Sequence, residues 1–397
     1  MGAKPLTVWR KASRTWRWLP AYVKQQALRR IPRGPVHLIV SLADHFEPSI
    51  VPHQSEARAP YQEQERRVDS WCREYPRVAA DYRDHEGYPF VHTYFYPAEQ
   101  YDKRLLERLA EHCRAGWGEV EIHLHHGIGA PDTTENTRAQ LAAFRDALAF
   151  EHGCLSYWNA EGMPRYAFVH GNYALANSRR GYFCGVDNEL EVLAETGCYA
   201  DLTLPPGPYN AAHIAKINCL YECALPLHTR AAHRRGKDLV RGRVPTVYPL
   251  IIEGPLLLDL ARRGSLARLG IENGHLATLN PPTLRRFQLW KRAGISVGGR
   301  PDWLFIKLQC HGMNPGDREA MVGELMRCFL RELVETARSR NEILHFVSAR
   351  EMVNIILAAC DGRDGNPGDY RDYRLRRPKP VTGVKPAALR AEMSSKA

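Results

Sequence analysis

Eight short apolar runs punctuate the chain, and most are followed by a stretch with helical spacing of apolar residues. The runs 36–43 (VHLIVSLA), 88–96 (YPFVHTYFY), 119–125, 165–170 (RYAFVH), 199–204, 247–252 (VYPLII), 303–309 (WLFIKLQ) and 343–347 (ILHFV) read as strands. Helices are expected near 62–82, 98–115, 134–151, 187–196, 281–294, 317–338 and 348–360. Repeated strand-then-helix units predict a parallel sheet covered by helices. About eight such units can close on themselves. The expected fold is therefore α/β, a distorted (β/α)7–8 barrel occupying residues 35–362 as one domain. The segment 205–245 breaks the rhythm. It is rich in Pro, Gly and Arg (PPGPYN, HRRGKD) and reads as a long loop insertion.

In a parallel α/β protein the chemistry gathers at the C-terminal ends of the strands. Titratable residues recur there. The first strand ends in Asp44-His45-Phe46-Glu47, the second carries His92, and the third ends in His123-Leu124-His125-His126-Gly127. The fourth ends in His170-Gly171-Asn172, the fifth carries Asp201, and the seventh ends in His311-Gly312. Strand alternation sends His123 and His125 to one face, where two imidazoles can grip one ion. Asp44, with His45 beside it, and two of His123, His125 and His126 would make a site of one carboxylate and two histidines. Three protein ligands leave a position open for water, as catalytic metals require. Zinc is the first candidate, with manganese, cobalt and nickel as alternatives. His311 would protonate the leaving group, and Asn172 or a nearby amide would face the oxyanion. His170, Asn172 and Asp201 are the substrate-binding candidates, although His170 can equally be a hydrogen-bonded structural histidine.

Charge and cysteine content narrow the setting. The net charge of the 397 residues is +11, but residues 1–34 carry +9 and 371–397 carry +6, so the body is −4. The N-terminal extension interleaves Trp9, Trp16 and Trp18 with Arg10, Lys11, Arg14 and Arg17. That mixture suits a helix lying at an anionic membrane surface. Residues 363–397 read as a basic tail. No helix-turn-helix, zinc finger or RNA-recognition signature is present, so specific nucleic-acid binding is not expected. The ten cysteines are scattered without a Cys-x-x-Cys pair, which favours reduced thiols. No apolar run of about 18 residues occurs, and no secretory signal is read. A cytoplasmic location is expected, with peripheral contact to the inner face of the membrane.

The Asp44 motif, the strand ending in histidines and the late strand ending in His311-Gly312 together resemble the polysaccharide deacetylase superfamily of the NodB type. The resemblance covers about residues 36–355, and the stretches 170–178 and 187–201 resemble an uncharacterised bacterial branch of it. It implies a divalent metal held by an Asp and two His, a second Asp as base, a late His as acid, and hydrolysis of an acetyl group on a sugar. On this chain Asp44, the His123–His126 cluster and His311 are the matching positions. His45 stands where a second carboxylate is usual. Either Asp44 is the base and His45 a ligand, or Asp44 is the ligand and the base lies elsewhere. The usual four-residue spacing of the histidines is absent, since positions 127 and 129 are both Gly. The implied substrate is an acetylated amino sugar or sugar intermediate of surface polysaccharide metabolism, lipid- or nucleotide-linked. The rival readings are a glycoside hydrolase using paired carboxylates among Asp44, Glu47, Asp187, Glu189 and Asp201, and a degenerate carbohydrate-binding barrel.

Overall fold

The computed structural model of the chain describes residues 16, 18–28, 35–52, 54, 57–205, 216–259 and 270–377. Each of the eight apolar runs overlaps a strand: β1 (Val36–His45), β2 (His92–Pro97), β3 (Gly118–Leu124), β4 (Glu161–His170), β5 (Cys198–Asp201), β6 (Leu250–Ile252), β7 (Trp303–Cys310) and β8 (Glu342–Phe346). They pair in parallel in the order β7-β1-β2-β3-β4-β5-β6, and β8 pairs with the first half of β1. Five shorter strands extend this to a thirteen-stranded sheet. The helices follow the periodicity: α1 (Leu19–Leu28), α2 (Tyr61–Ala79), α3 (Lys103–His112), α4 (Thr134–Asp146), α5 (Glu189–Thr196), α6 (Leu284–Arg292), α7 (Arg318–Val322), α8 (Glu324–Ser339) and α9 (Ala349–Cys360). Four of them, α3, α4, α6 and α9, start at a side-chain cap. Asp102 accepts from the amides of Arg104 and Leu105, and Ser348 forms a reciprocal capping box with Glu351.

Strand alternation sorts the core. Leu38, Val40 and Leu42 of β1 and Val120, Ile122 and Leu124 of β3 pack in one cluster with Trp71, Tyr75 and Val78 of α2. Ile39 and Ala43 belong to the opposite face, with Phe95, Ala167 and Val169. On that opposite face β3 presents Glu119, Glu121 and His123. Lys307 of β7 donates 2.7 Å hydrogen bonds to the carbonyls of Leu202 and Leu204, just after β5. β7 and β5 stand five strands apart along the ladder, roughly 24 Å in a flat sheet at about 4.8 Å per strand. The sheet must therefore curl strongly to bring them together. Among the described strands no pairing joins its two ends, so the architecture is a mixed α/β fold around one large, mostly parallel sheet.

Three boundaries differ from the sequence expectation. Trp18 is fully buried against Ile217 and Leu256, and Asn218 donates to Gln25, so residues 18–28 dock on the body. Trp9, Arg10, Lys11 and Arg14 lie outside the described residues. The 205–245 insertion carries Leu220–Glu222, which pairs antiparallel with β6 and with Lys237–Asp238, while 206–215 lies outside the described residues. The expected tail from 363 is folded as far as 377. Arg371 bridges Asp84, Glu86 and Glu351, and Leu375 is buried, because a guanidinium with three carboxylate partners is too well satisfied to leave. Residues 378–397 lie outside the described residues. No described helix is long and apolar enough to cross a membrane.

Candidate metal and active site

At the C-terminal edge of the sheet lies a cavity of about 1210 Å³, walled by His45, Glu47, Glu99, His125, Asn172, Tyr173, His275 and His311 among others. The strand ends supply these groups by parity. His45 ends β1, and Glu47, two residues on, stays close enough to join it. His125 continues the face of His123 beyond β3. Glu99 follows β2 in a short turn, Ala98–Gln100. His311 follows β7 directly. The imidazole rings nearly touch: His45 to His123 is 4.9 Å between centroids, His45 to His311 4.6 Å, and His123 to His125 4.5 Å.

His123, fully buried, is the most constrained of them. Its Nδ1 lies 2.6 Å from the Val169 carbonyl oxygen, which can only accept, so the proton sits on Nδ1. Nε2 is left as a lone pair with no hydrogen-bond partner. It faces Glu47 Oε1 at 3.3 Å. Burial lowers the His123 pKa, reinforced by His125 and only partly opposed by Glu47, so the ring is neutral. His45 is driven far lower by burial and by the neighbouring His311 and His123. Burial would raise Glu47, but the charge of His125 and the contact with His123 hold it at about 2. One anionic oxygen and two neutral imidazoles thus converge without a proton between them. Potential donor atoms of His45, Glu47 and His123 all lie within 4.8 Å of one another. This is the protonation state a divalent cation requires of its ligands.

His125 borders the same group, its Nε2 3.7 Å from Glu47 Oε1. Its Nδ1 binds Glu99 Oε1 at 2.8 Å, and its backbone amide donates to Glu99 Oε2. A carboxylate behind an imidazole fixes tautomer and orientation. Gly171 is required here, since a Cβ would sit 2.4 Å from the His125 ring.

The other expected site residues fall elsewhere. Asp44 points to the helix side of β1, opposite His45, as alternation demands. It binds His92 Nδ1 at 2.9 Å and accepts from the Gly312 amide at 2.6 Å. It groups with His92 and Cys310 and not with the cluster histidines. Gly312 accordingly makes room for Asp44, whose Oδ2 would lie 2.3 Å from a Cβ there. His126 turns away from His123 and His125 and meets His170 and Glu189 in a buried group outside the cavity wall. Asp201 is fully buried and bound to the Thr203 amide and hydroxyl. Thr203 Oγ1 in turn accepts from the His170 amide, so Asp201 fixes the end of β4 and does not reach the cavity. Of the expected substrate contacts only Asn172 lines it. Glu99, Glu189 and Cys184 stand outside the strand-end motifs, so no sequence pattern marks them as ligands or orienting groups. Glu47 was visible as the next acid after Asp44, and its i+2 relation to His45 was the signal.

Behind His123 on the same face, Glu121 is fully buried. It accepts from the Ala167 amide at 2.6 Å and the Tyr199 hydroxyl at 2.5 Å. Burial outweighs both hydrogen bonds and lifts its pKa to about 8. An acid with a raised folded-state pKa stabilises fully below its unfolded value, and that contribution is lost as pH rises through the folded value. Urea midpoints of the wild type are therefore expected to fall between about pH 4.5 and 8 relative to Glu121→Gln. Parallel pH profiles for the two proteins would show that Glu121 titrates normally.

Compared with known proteins, the chain matches no family model and no curated protein.

Proposed function

We propose that the chain is a metal-dependent hydrolase acting on acetylated carbohydrate, similar in outline to the polysaccharide deacetylases and built on a distorted (β/α)7–8 barrel. The observation that carries this is the buried, unpartnered Nε2 of His123 facing the Glu47 carboxylate beside His45, at the edge of a large cavity. The eight parallel strands and the Lys307 bridge across the curled sheet support the barrel. A divalent ion held by His45, Glu47 and His123, zinc in the first instance, would supply carbonyl polarisation and an activated water. His125, oriented by Glu99 and with its pKa raised by Glu47 and Glu99 against burial, has its Nε2 on the cavity side and can donate to the developing oxyanion. His311, close to His45 and along the cavity wall, can take the proton of the nucleophile and return it to the leaving amine or alcohol.

The cavity exceeds the roughly 300–1,000 Å³ of ordinary small-molecule pockets. It leaves room for a sugar together with part of a lipid or nucleotide carrier. Such an acetylated amino sugar or sugar intermediate of surface polysaccharide is the proposed substrate. The acids fit a glycosidase less well. Among Asp44, Glu47, Asp187, Glu189 and Asp201 only Glu47 lines the cavity, and Glu99 is engaged by both its oxygens with His125.

The test uses full-length protein with N-acetylglucosamine oligomers and chromogenic acetyl esters. Acetate release is expected, lost on chelation, restored by zinc, and lowered roughly 10²–10⁴-fold in His311→Ala. Chelator-resistant release of reducing ends, without acetate, would establish the glycosidase instead.

A further inference from the structure

Away from the cavity wall, four side chains converge in a second group: His126, His170, Cys184 and Glu189, all buried. None of them lines the cavity. His126 follows β3, His170 ends β4, Cys184 lies in the loop after β4, and Glu189 opens α5. His126 Nε2 is 2.9 Å from His170 Nε2, and Glu189 Oε1 is 3.0 Å from the first and 3.1 Å from the second. The outer nitrogens are already engaged. His126 Nδ1 lies 2.8 Å from Asp132 Oδ2, and His170 Nδ1 lies 2.6 Å from the Gly171 carbonyl oxygen. An ionised carboxylate and a carbonyl only accept, so each imidazole carries a proton on Nδ1 and turns Nε2 to the centre of the group. Two imidazole Nε2 atoms and a carboxylate oxygen are then packed within 3.1 Å of one another, with the Cys184 thiol 3.7 Å from the other Glu189 oxygen. Such an arrangement needs a cation at its centre. Without a metal, that cation is a proton on Nε2 shared with Glu189, since the carboxylates beside both histidines raise their pKa values against burial. With one, a metal ion takes that proton's place.

We propose that His126, His170, Cys184 and Glu189 form a second metal site, a closed four-ligand zinc centre distinct from the cavity group. Zinc with nitrogen ligands at about 2.0–2.1 Å in tetrahedral geometry holds those nitrogens roughly 3.3 Å apart, close to the spacing present. The chemistry fits as well as the spacing. A thiolate and a carboxylate leave the cage doubly negative, and one Zn²⁺ neutralises it. Asp132 and the Gly171 carbonyl supply the outer contacts that orient histidine ligands. Four protein ligands without an opening to the cavity mark a structural centre, not a catalytic one.

The cage also explains how its surroundings hold their shape. Between Asn172 and Phe183 six non-glycine residues have positive φ: Asn172, Tyr173, Ala176, Asn177, Arg180 and Phe183. Left-handed backbone at non-glycine residues persists only where the surroundings over-determine it. The apolar cluster within this segment is small: Ala174, Cys184 and Val186, with Phe183 packed against it. The loops instead close around the cage. Cys184 O accepts from the Asp132 amide, Phe183 donates to Gly127 O, and Glu189 Oε2 accepts from the Ala176 amide. A metal there staples the loop that carries Asn172 and Tyr173 into the cavity wall.

The experiment is zinc X-ray absorption on full-length protein, with metal content measured in the same samples. A sulfur shell near 2.3 Å is expected in the wild type, with two zinc equivalents per chain. Cys184→Ser should lose the sulfur shell, whereas Glu47→Gln should keep it and lose the other equivalent. A wild-type spectrum fitted by nitrogen and oxygen alone, or a sulfur shell that persists in Cys184→Ser, overturns the proposal. The wild-type measurement decides even where the variant does not fold. One zinc equivalent with a full sulfur shell would sustain this site while removing the cavity metal.

Discussion

Glu47→Gln is expected to abolish hydrolysis while leaving the protein folded. The substitution keeps the size of the side chain and one carbonyl oxygen. It removes the only negative charge in the group of His45, Glu47 and His123. Glu47 is ionised throughout the neutral range, because His125 and His123 hold its pKa at about 2 against the effect of burial. Without that charge two neutral imidazoles face a neutral amide, a poor site for a divalent cation. Loss of a single preorganised electrostatic donor costs about 10²–10³ in rate, and loss of the metal's anionic ligand should cost at least as much. Circular dichroism should change little, while the urea midpoint at neutral pH should fall, since a carboxylate whose pKa is lowered to about 2 stabilises the fold above its unfolded value. Retained activity at near wild-type metal content would remove Glu47 from the site.

The largest loss of stability is expected from Arg350→Met. Arg350, at the start of α9, is fully enclosed. It donates to both Glu119 oxygens at 2.9–3.2 Å and to the Arg371 and Leu375 carbonyls, and it reaches Asp372. Glu119 is equally enclosed on β3, and its carboxyl is held below the ordinary range against burial, by Arg350 first and Arg377 next. Methionine fills the volume of the stem but leaves Glu119 as a buried charge with Arg377, 3.1 Å away, as its cation and the Ser348 side chain as a further hydrogen-bond partner. Removing one partner of a buried pair costs about 3–5 kcal/mol. Urea unfolding should report that loss. The double variant Arg350→Met, Glu119→Gln should recover part of it, because the uncompensated charge is gone. A single variant within about 1 kcal/mol of wild type would contradict this account of how β3 is anchored.

The strands and helices were legible because apolar runs and helical spacing are local properties, and each of the eight runs overlaps a strand. The position of the site was legible for the same reason: strand ends in a parallel sheet share an edge. The membership of the site was not. Asp44 and His45 are neighbours in sequence, yet alternation sends them to opposite faces, so the carboxylate beside His45 in space is Glu47. The three cluster histidines split likewise once the strand gives way to the turn at Gly127, with His123 and His125 on one side and His126 on the other. Asp201 has the residue type of a substrate ligand but spends both oxygens on Thr203. Glu189 and Cys184 belong to a loop whose path no periodicity encodes. Their meeting with His126 and His170 depends on contacts spanning up to 63 positions.

Crystals of the full-length protein grown with zinc, with diffraction recorded across the zinc absorption edge, test the central claim most directly. The account predicts an anomalous peak within about 2.0–2.2 Å of ligand atoms from His45, Glu47 and His123. An empty position there, or a peak among Asp44, His92 and Cys310 in its place, would contradict it.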